Sequence, residues 1–286
     1  MPDIFMPRSL GLLLCLAFTA LMGGCANRLE APVIRPLTGS LLEVTAARLE
    51  LLLPTDVLLL GEQHDAKEHQ QIEEQVIALL AQRGLLAAVV LEMADAGVST
   101  ASLHPSSTEQ QAQSALKWNN KAWPWEAYGP AVMTAVRAGV PVLGANLPRA
   151  LMQSSMADSK LDAQLPGPAL KAQQQQIRTG HCNMLPESQI TPMTRIQIAK
   201  DISMAKTLSQ LAVPGKLVLL LSGSGHADRY LGVPQHLRPD LKAIAVHLRA
   251  GAATESASTD AFDSVWSTPA LPETDHCADF KAQMGR

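Results

Sequence analysis

The stretch Leu58-Leu59-Leu60-Gly61-Glu62-Gln63-His64-Asp65 decides how the chain is read. The apolar run from Val57 to Leu60 is bounded by Pro54-Thr55-Asp56 on one side and Gly61 on the other. That is the pattern of a strand buried on both faces. A helix is expected directly behind it: Asp65 with Glu68 reads as a capping box, Ile72, Val76, Leu79 and Leu80 fall on one face, and Gly84 is placed to end it. The unit is strand, turn, helix, and it delivers Glu62 and His64 to a site.

The pattern recurs downstream. Leu85 to Leu91 is a second apolar run that ends at Glu92, followed by Asp95. Val140 to Leu143 leads to Asn146 and Arg149, and Leu217 to Leu221 ends at Ser222-Gly223-Ser224-Gly225-His226. Ala243 to His247 reads as a fifth strand, and Ala261 to Trp266 as an edge strand. Between them lie a helix from about Tyr128 to Arg137, closed by Gly139 and Pro141, and an amphipathic helix marked by Ile198, Ile202, Ala205 and Leu208. The buried side of that second helix also reaches Gln197, Asp201 and Met204. Strands alternating with helices predict an α/β fold: a largely parallel central sheet flanked by helices, with a helical subdomain. Ligands bind such sheets beyond the carboxyl ends of the strands. Glu62, His64, Glu92, Asn146, Arg149 and His226 are therefore expected to converge.

The chain of 286 residues is long enough for a substantial core. Its net charge of −3, without a basic stripe, excludes nucleic acid as the main partner, and aromatics at 3% disfavour a base-stacking surface. At the amino terminus, Arg8 precedes an apolar stretch from Leu10 to Met22, and Gly23-Gly24-Cys25 follows. Residues 1–24 read as a signal peptide, too short for a span of about 20 apolar residues. Leu21-Met22-Gly23-Gly24-Cys25 resembles the bacterial lipobox, which implies lipid on Cys25. Ala26 and Asn27 carry no aspartate, which implies the outer membrane. Residues 25–38, with Pro32 and Pro36, read as a tether, and 39–286 as one α/β domain with helical insertions around 97–138 and 150–212. The mature chain then holds Cys182 and Cys277, expected to pair in an oxidising compartment; free thiols or metal ligands are the alternatives.

Three chemistries compete for the polar groups. His64, His69, His226, Glu62 and Glu92 could hold a divalent metal, although His64 and His69, five apart, would lie roughly 140° off a common helix face. A serine hydrolase is poorly supported, because Ser222-Gly223-Ser224-Gly225-His226 lacks the Gly-x-Ser-x-Gly elbow. Haem needs an axial ligand, for which Tyr128 and Tyr230 are the available tyrosines, and a cation for its propionates. Tyr128 shares a helical face with Val132 and Val136, so a plain core tyrosine competes with that role.

Taken in order, Leu59-Leu60-Gly61-Glu62-Gln63-His64-Asp65 with His69, Val90-Leu91-Glu92-Met93, Trp125-Glu126-Ala127-Tyr128, Asn146-Leu147-Pro148-Arg149, Gly180-His181-Cys182, Asp201-Ile202-Ser203-Met204-Ala205 and Gly223-Ser224-Gly225-His226 with Gly232-Val233-Pro234 resemble the ChaN-type haem-binding uptake lipoproteins. The resemblance implies an α/β lipoprotein of haem and iron acquisition, an outer-membrane haem receptor as partner, and a haem-linked homodimer with each ferric haem held by a tyrosine. Tyr128 is the best match for that ligand and Tyr230 the fallback, with Trp125 and Arg149 beside the haem. The family is also similar to a group that includes erythromycin esterase and metal-dependent peptidases. That keeps open a metal-dependent hydrolase built on Glu62, His64, Glu92 and His226.

Overall fold

The computed structural model describes residues 39–251, 259–278 and 281. The signal, Cys25 and the tether of the sequence reading lie outside the described residues. From Thr38 onward the chain forms one compact unit. Among the described residues six strands, β1 Val57–Glu62, β2 Leu86–Asp95, β3 Val142–Asn146, β4 Leu217–Gly223, β5 Ala243–Ala250 and β6 Ser264–Thr268, pair parallel in the order β3-β2-β4-β1-β5-β6. Among the described residues the helices are α1 Leu41–Glu50, α2 Lys67–Gln82, α3 Glu109–Ala115, α4 Trp125–Arg137, α5 Met152–Ala157, α6 Gly167–Gly180, α7 Glu187–Leu211 and the single turn α8 Ser224–Ala227, with short 3-10 segments between. No described helix is long and apolar enough to cross a membrane.

Alternation along the central strands divides the core in two. Leu58, Leu60, Val89, Leu91, Leu219 and Leu221 pack on the layer that contains α2 and α4, while Leu59, Val90, Val218 and Leu220 pack with Met204, Ala205 and Leu208 of α7. Both faces are covered, so these strands are apolar at every position. The same parity aims the acids. Glu62 continues the Leu58/Leu60 side and turns toward α2 and α4; Glu92 continues the Val90 side and turns toward α7.

Several boundaries differ from the sequence reading. β1 runs two residues further, because Gly61 and Glu62 stay in register with Ser222 and Gly223 of β4. β2 likewise carries Glu92 and Asp95 on the strand itself. β3 starts at Val142 rather than Val140, since Pro141 has no N–H to give a neighbouring strand. The expected capping box at Asp65 does not form: Ala66 donates to the Gln63 carbonyl at 2.9 Å to close the turn, and α2 starts at Lys67 without a side-chain cap. A capping box closes α1 instead, where Ser40 and Glu43 exchange hydrogen bonds. That Ser-x-x-Glu signal stands in the sequence ahead of an apolar-periodic segment.

Cys182 and Cys277 form a disulfide across 95 residues of chain. It ties the α6–α7 loop to the segment after β6, whose His276 lies 3.7 Å from Asp65. Closing a loop this long removes much freedom from the unfolded chain. Cys277→Ser should lower unfolding stability by about 2–5 kcal/mol, read by urea denaturation without reductant. Equal midpoints for the two proteins would show that the bridge contributes nothing.

Candidate functional site

The carboxyl ends of β1, β2 and β4 meet where the chain's direction across the sheet reverses: β1 leads to β2 on one side, and β4 leads past β1 to β5 on the other. Such a switch point opens a crevice between diverging loops. Two acid–histidine groups fill it, one from each face of the sheet.

On the α2/α4 side, Glu62 Oε1 accepts the Tyr128 hydroxyl at 2.8 Å and lies 2.8 Å from His64 Nδ1, while Oε2 accepts the Gln70 amide at 2.7 Å. His64 is held against Trp123, ring to ring at 4.8 Å, and its side chain remains 37% exposed. Beneath them Glu73 is fully buried, and neither of its carboxyl oxygens has a hydrogen-bond partner. Burial first, and then the Glu62 carboxylate, push the Glu73 carboxyl well above its ordinary value, so it is held as the neutral acid.

On the α7 side, His226 sits between two acids, with Nδ1 at 2.5 Å from Asp201 Oδ1 and Nε2 at 3.2 Å from Glu92 Oε1. Glu92 Oε2 accepts the Gly223 N–H at 2.8 Å. Burial alone would lower the His226 pKa, but Glu92 and Asp201 on its two sides overcome that and raise it to about 10. For Glu92 burial raises the pKa, and the His226 imidazolium, His64 and the Gly223 N–H more than reverse it, leaving a firm carboxylate. Burial raises Asp201 to about 6 against the pull of His226.

His64 joins the two groups. Its Nε2 is 3.8 Å from Glu92 Oε2, and although burial acts to lower its pKa, hydrogen bonding to Glu62 and the charges of Glu92 and Glu62 leave it raised. The close approach needs Gly223, because a Cβ there would stand 2.8 Å from His64 Nε2. The arrangement therefore presents one accessible imidazole with raised proton affinity, backed by a buried imidazolium and fixed carboxylates.

Glu62, His64, Glu92 and His226 thus come together as the sequence implied. His69 does not join them. Its Nδ1 accepts the Gln63 N–H at 3.0 Å and its Nε2 is 3.0 Å from the Thr268 hydroxyl, so both ring nitrogens are spent on tying the first turn to β6. Among the described residues no group of three or more His, Cys, Asp or Glu side chains is arranged to hold a metal ion. His69 therefore leaves the ligand set read from the sequence, while His64 and His226 stay in the cluster with Glu62 and Glu92.

The chain matches the family described as Haem-binding uptake, Tiki superfamily, ChaN over residues 49–237. It belongs to that family. Its fold is similar to the structure of cofacial heme binding to ChaN of Campylobacter jejuni, at 28% identity and a TM-score of 0.59, covering 73% of this chain and 87% of that one. Fainter likenesses are to the type III effector HopBA1, at 16% identity and 0.46 over 83% and 97%, and to the H289N mutant of erythromycin esterase EreC in its open conformation, at 15% and 0.43 over 74% and 76%. No curated protein matches the chain.

In this ChaN-family chain the two tyrosines stand in opposite settings. Tyr128 is 1% exposed, enclosed by Trp118 and Trp123 and bonded to Glu62. Burial, and then the Glu62 carboxylate, hold its phenol far above the ordinary value. That hydroxyl is closed off from the surface and engaged by Glu62, so Tyr128 stands here as a buried hydrogen-bond donor. Tyr230 is 53% exposed on the loop after α8, where Asp228 accepts its backbone N–H at 2.7 Å. Trp125 is no slot wall either, since it is buried with its indole N–H donating to Glu109 at 2.9 Å. Arg149 lines a separate cleft with Trp123 beyond β2 and β3.

Sequence reasoning missed Gln70 and Glu73 and did not assign Asp201 to His226. Asp201 was legible as a polar residue on the buried side of α7. Nothing local marks Glu73, which reads as one more acid in a polar helical stretch.

Proposed function

We propose that the protein binds ferric haem on its surface, with the Tyr230 phenolate as axial ligand, as a lipid-anchored outer-membrane protein of haem and iron acquisition. The observation that carries this is the exposed Tyr230 on the loop leaving β4 in a chain of the ChaN family. A ligating tyrosine must offer its oxygen without a competing carboxylate, and among the two tyrosines Tyr230 alone does so. Arg229, beside it in the chain and 3.0 Å from Asp263, supplies a half-exposed guanidinium for a propionate. Bound haem would supply the iron cargo; the loop supplies the oxygen ligand and its register, because the Asp228 carboxylate accepts the N–H groups of both Tyr230 and Leu231. An exposed tyrosine also leaves the other face of the haem open to a second haem, in keeping with the cofacial heme binding of ChaN of Campylobacter jejuni. Titration of ferric haem into the purified protein should give a saturable Soret change at one haem per chain. A featureless, non-saturating change would remove the reading.

The acid–histidine groups support a second reading, hydrolysis. The observation behind it is His64, held by Glu62 at 2.8 Å with Nε2 turned to the crevice between Glu92 and Gly223. Nε2 would take a proton from water attacking a carbonyl and return it to the leaving group, while Glu62 fixes the ring. An ester and amide substrate screen with Glu62→Gln as control tests this. Activity that survives that substitution would exclude the assignment.

A further inference from the structure

A cleft of about 280 Å³ opens at the carboxyl ends of β2 and β3, lined among others by Met93, Asp95, Lys117, Trp123, Asn146 and Arg149. It is distinct from the Tyr230 loop, because Arg149 follows β3, Tyr230 follows β4, and β2 lies between those strands. We infer that this cleft is a binding site for a small amphipathic organic acid, with the carboxylate on Arg149 and Lys117 and the apolar body against Trp123 and Met93.

Charge and shape both point that way. Arg149 and Lys117 have no hydrogen-bond or ion-pair partner through their side chains among the described residues, and Asp95 is the one acid on the lining. The balance is one net positive charge in a concave, partly apolar site. A guanidinium offers a planar fork that matches a carboxylate. Lys117 is held at a φ of 48°, in the left-handed region that a non-glycine residue rarely adopts, at the point where α3 gives way to the tryptophan segment. The cleft wall is also mechanically joined to the acid–histidine groups: Trp123 packs on His64 at 4.8 Å, and the Asn146 amide donates to the Glu92 carbonyl at 2.8 Å. Size sets the upper limit. The volume equals about nine waters at about 30 Å³ each, at the small end of ligand pockets, which admits a bicyclic acid and not a porphyrin.

The probe is 2-naphthoate, titrated into the full-length protein and read by tryptophan fluorescence, with neutral 2-naphthamide as its isostere. The expected result is saturable binding of one naphthoate per chain, with the amide at least tenfold weaker and the double variant Arg149→Gln/Lys117→Gln also at least tenfold weaker toward the acid. Both side chains are exposed, so the variant should fold, and its haem titration should match the wild type. Equal binding of acid and amide, no saturation, or unchanged binding by the double variant would overturn the proposal. Loss of haem binding in that variant would overturn it as well, by assigning Arg149 to the porphyrin. The naphthoate readout needs no haem, so a failure of the haem reading would leave this test intact.

Discussion

Tyr230→Phe should abolish the tyrosinate-type ferric haem spectrum and weaken haem binding by about 100-fold, whereas Tyr128→Phe should leave haem affinity within about twofold. The contrast follows from where each hydroxyl sits. Removing the Tyr230 oxygen removes the proposed iron ligand from an exposed loop while leaving the ring, so folding is unaffected. An axial bond worth about 2.8 kcal/mol net corresponds to that 100-fold change, at about 1.4 kcal/mol for each factor of ten. Removing the Tyr128 oxygen deletes one of the contacts to Glu62 inside the core. Its cost falls on stability, of the order of 1–3 kcal/mol for a buried group left short of a partner. Absorption titration of the two variants in parallel separates the outcomes, and a large loss in Tyr128→Phe with none in Tyr230→Phe would return the iron to the tryptophan-rich segment.

His226→Ala should be the most damaging single change in the site. The imidazolium lies between Glu92 and Asp201, both buried, and deleting it leaves the two carboxylates facing each other without the cation that separates them. Breaking a buried ion pair from one side costs about 3–5 kcal/mol, which urea unfolding would register directly. The pH dependence gives an independent signature. The folded-state pKa of His226, about 10, lies above its unfolded value of 6.5, so its stabilisation is complete below pH 6.5 and is lost as pH rises through 10. Glu92, depressed by the same partner, contributes above its ordinary 4.5 and loses that contribution on acidification. Asp201 acts in the opposite sense, its raised pKa of about 6 making its contribution fade as pH rises from 3.8 through 6. Wild-type stability should therefore decline from pH 6.5 toward 10, and that alkaline decline should vanish in His226→Gln. An identical alkaline slope in the variant would show that His226 is not the buried cation.

How much of this could be read from sequence depends on how local each feature is. Val57–Leu60, Leu85–Leu91 and Leu217–Leu221 announce buried parallel strands through unbroken apolar runs, and Glu62, Glu92 and His226 follow each run within a few residues. Parity along those strands even assigns Glu62 and Glu92 to opposite faces, a conclusion open to anyone counting from Leu58 and Val90. The pairing of Cys182 with Cys277 followed from their being the two thiols left after Cys15 and Cys25 were set aside. What was hidden depends on tertiary neighbours. Tyr128 has the same amino-acid type as a haem ligand, and only the carboxylate of Glu62, 66 residues away in the chain, turns it into a structural hydrogen-bond donor. His69 looked like a ligand beside His64 until β6, nearly 200 residues later, supplied Thr268 as its partner. The Asp65 capping box satisfied a sequence rule, but the turn extends one residue further, so Ala66 takes the cap position and the helix starts at Lys67.

Resonance Raman spectroscopy of the ferric haem complex, prepared with natural and with ring-deuterated tyrosine, tests the tyrosine-ligated haem most directly. Bands of an iron-bound phenolate that shift on deuteration, present in the wild type and in Tyr128→Phe and absent in Tyr230→Phe, are the result expected here. A low-spin spectrum of histidine ligation, with no band that responds to tyrosine deuteration, would contradict it.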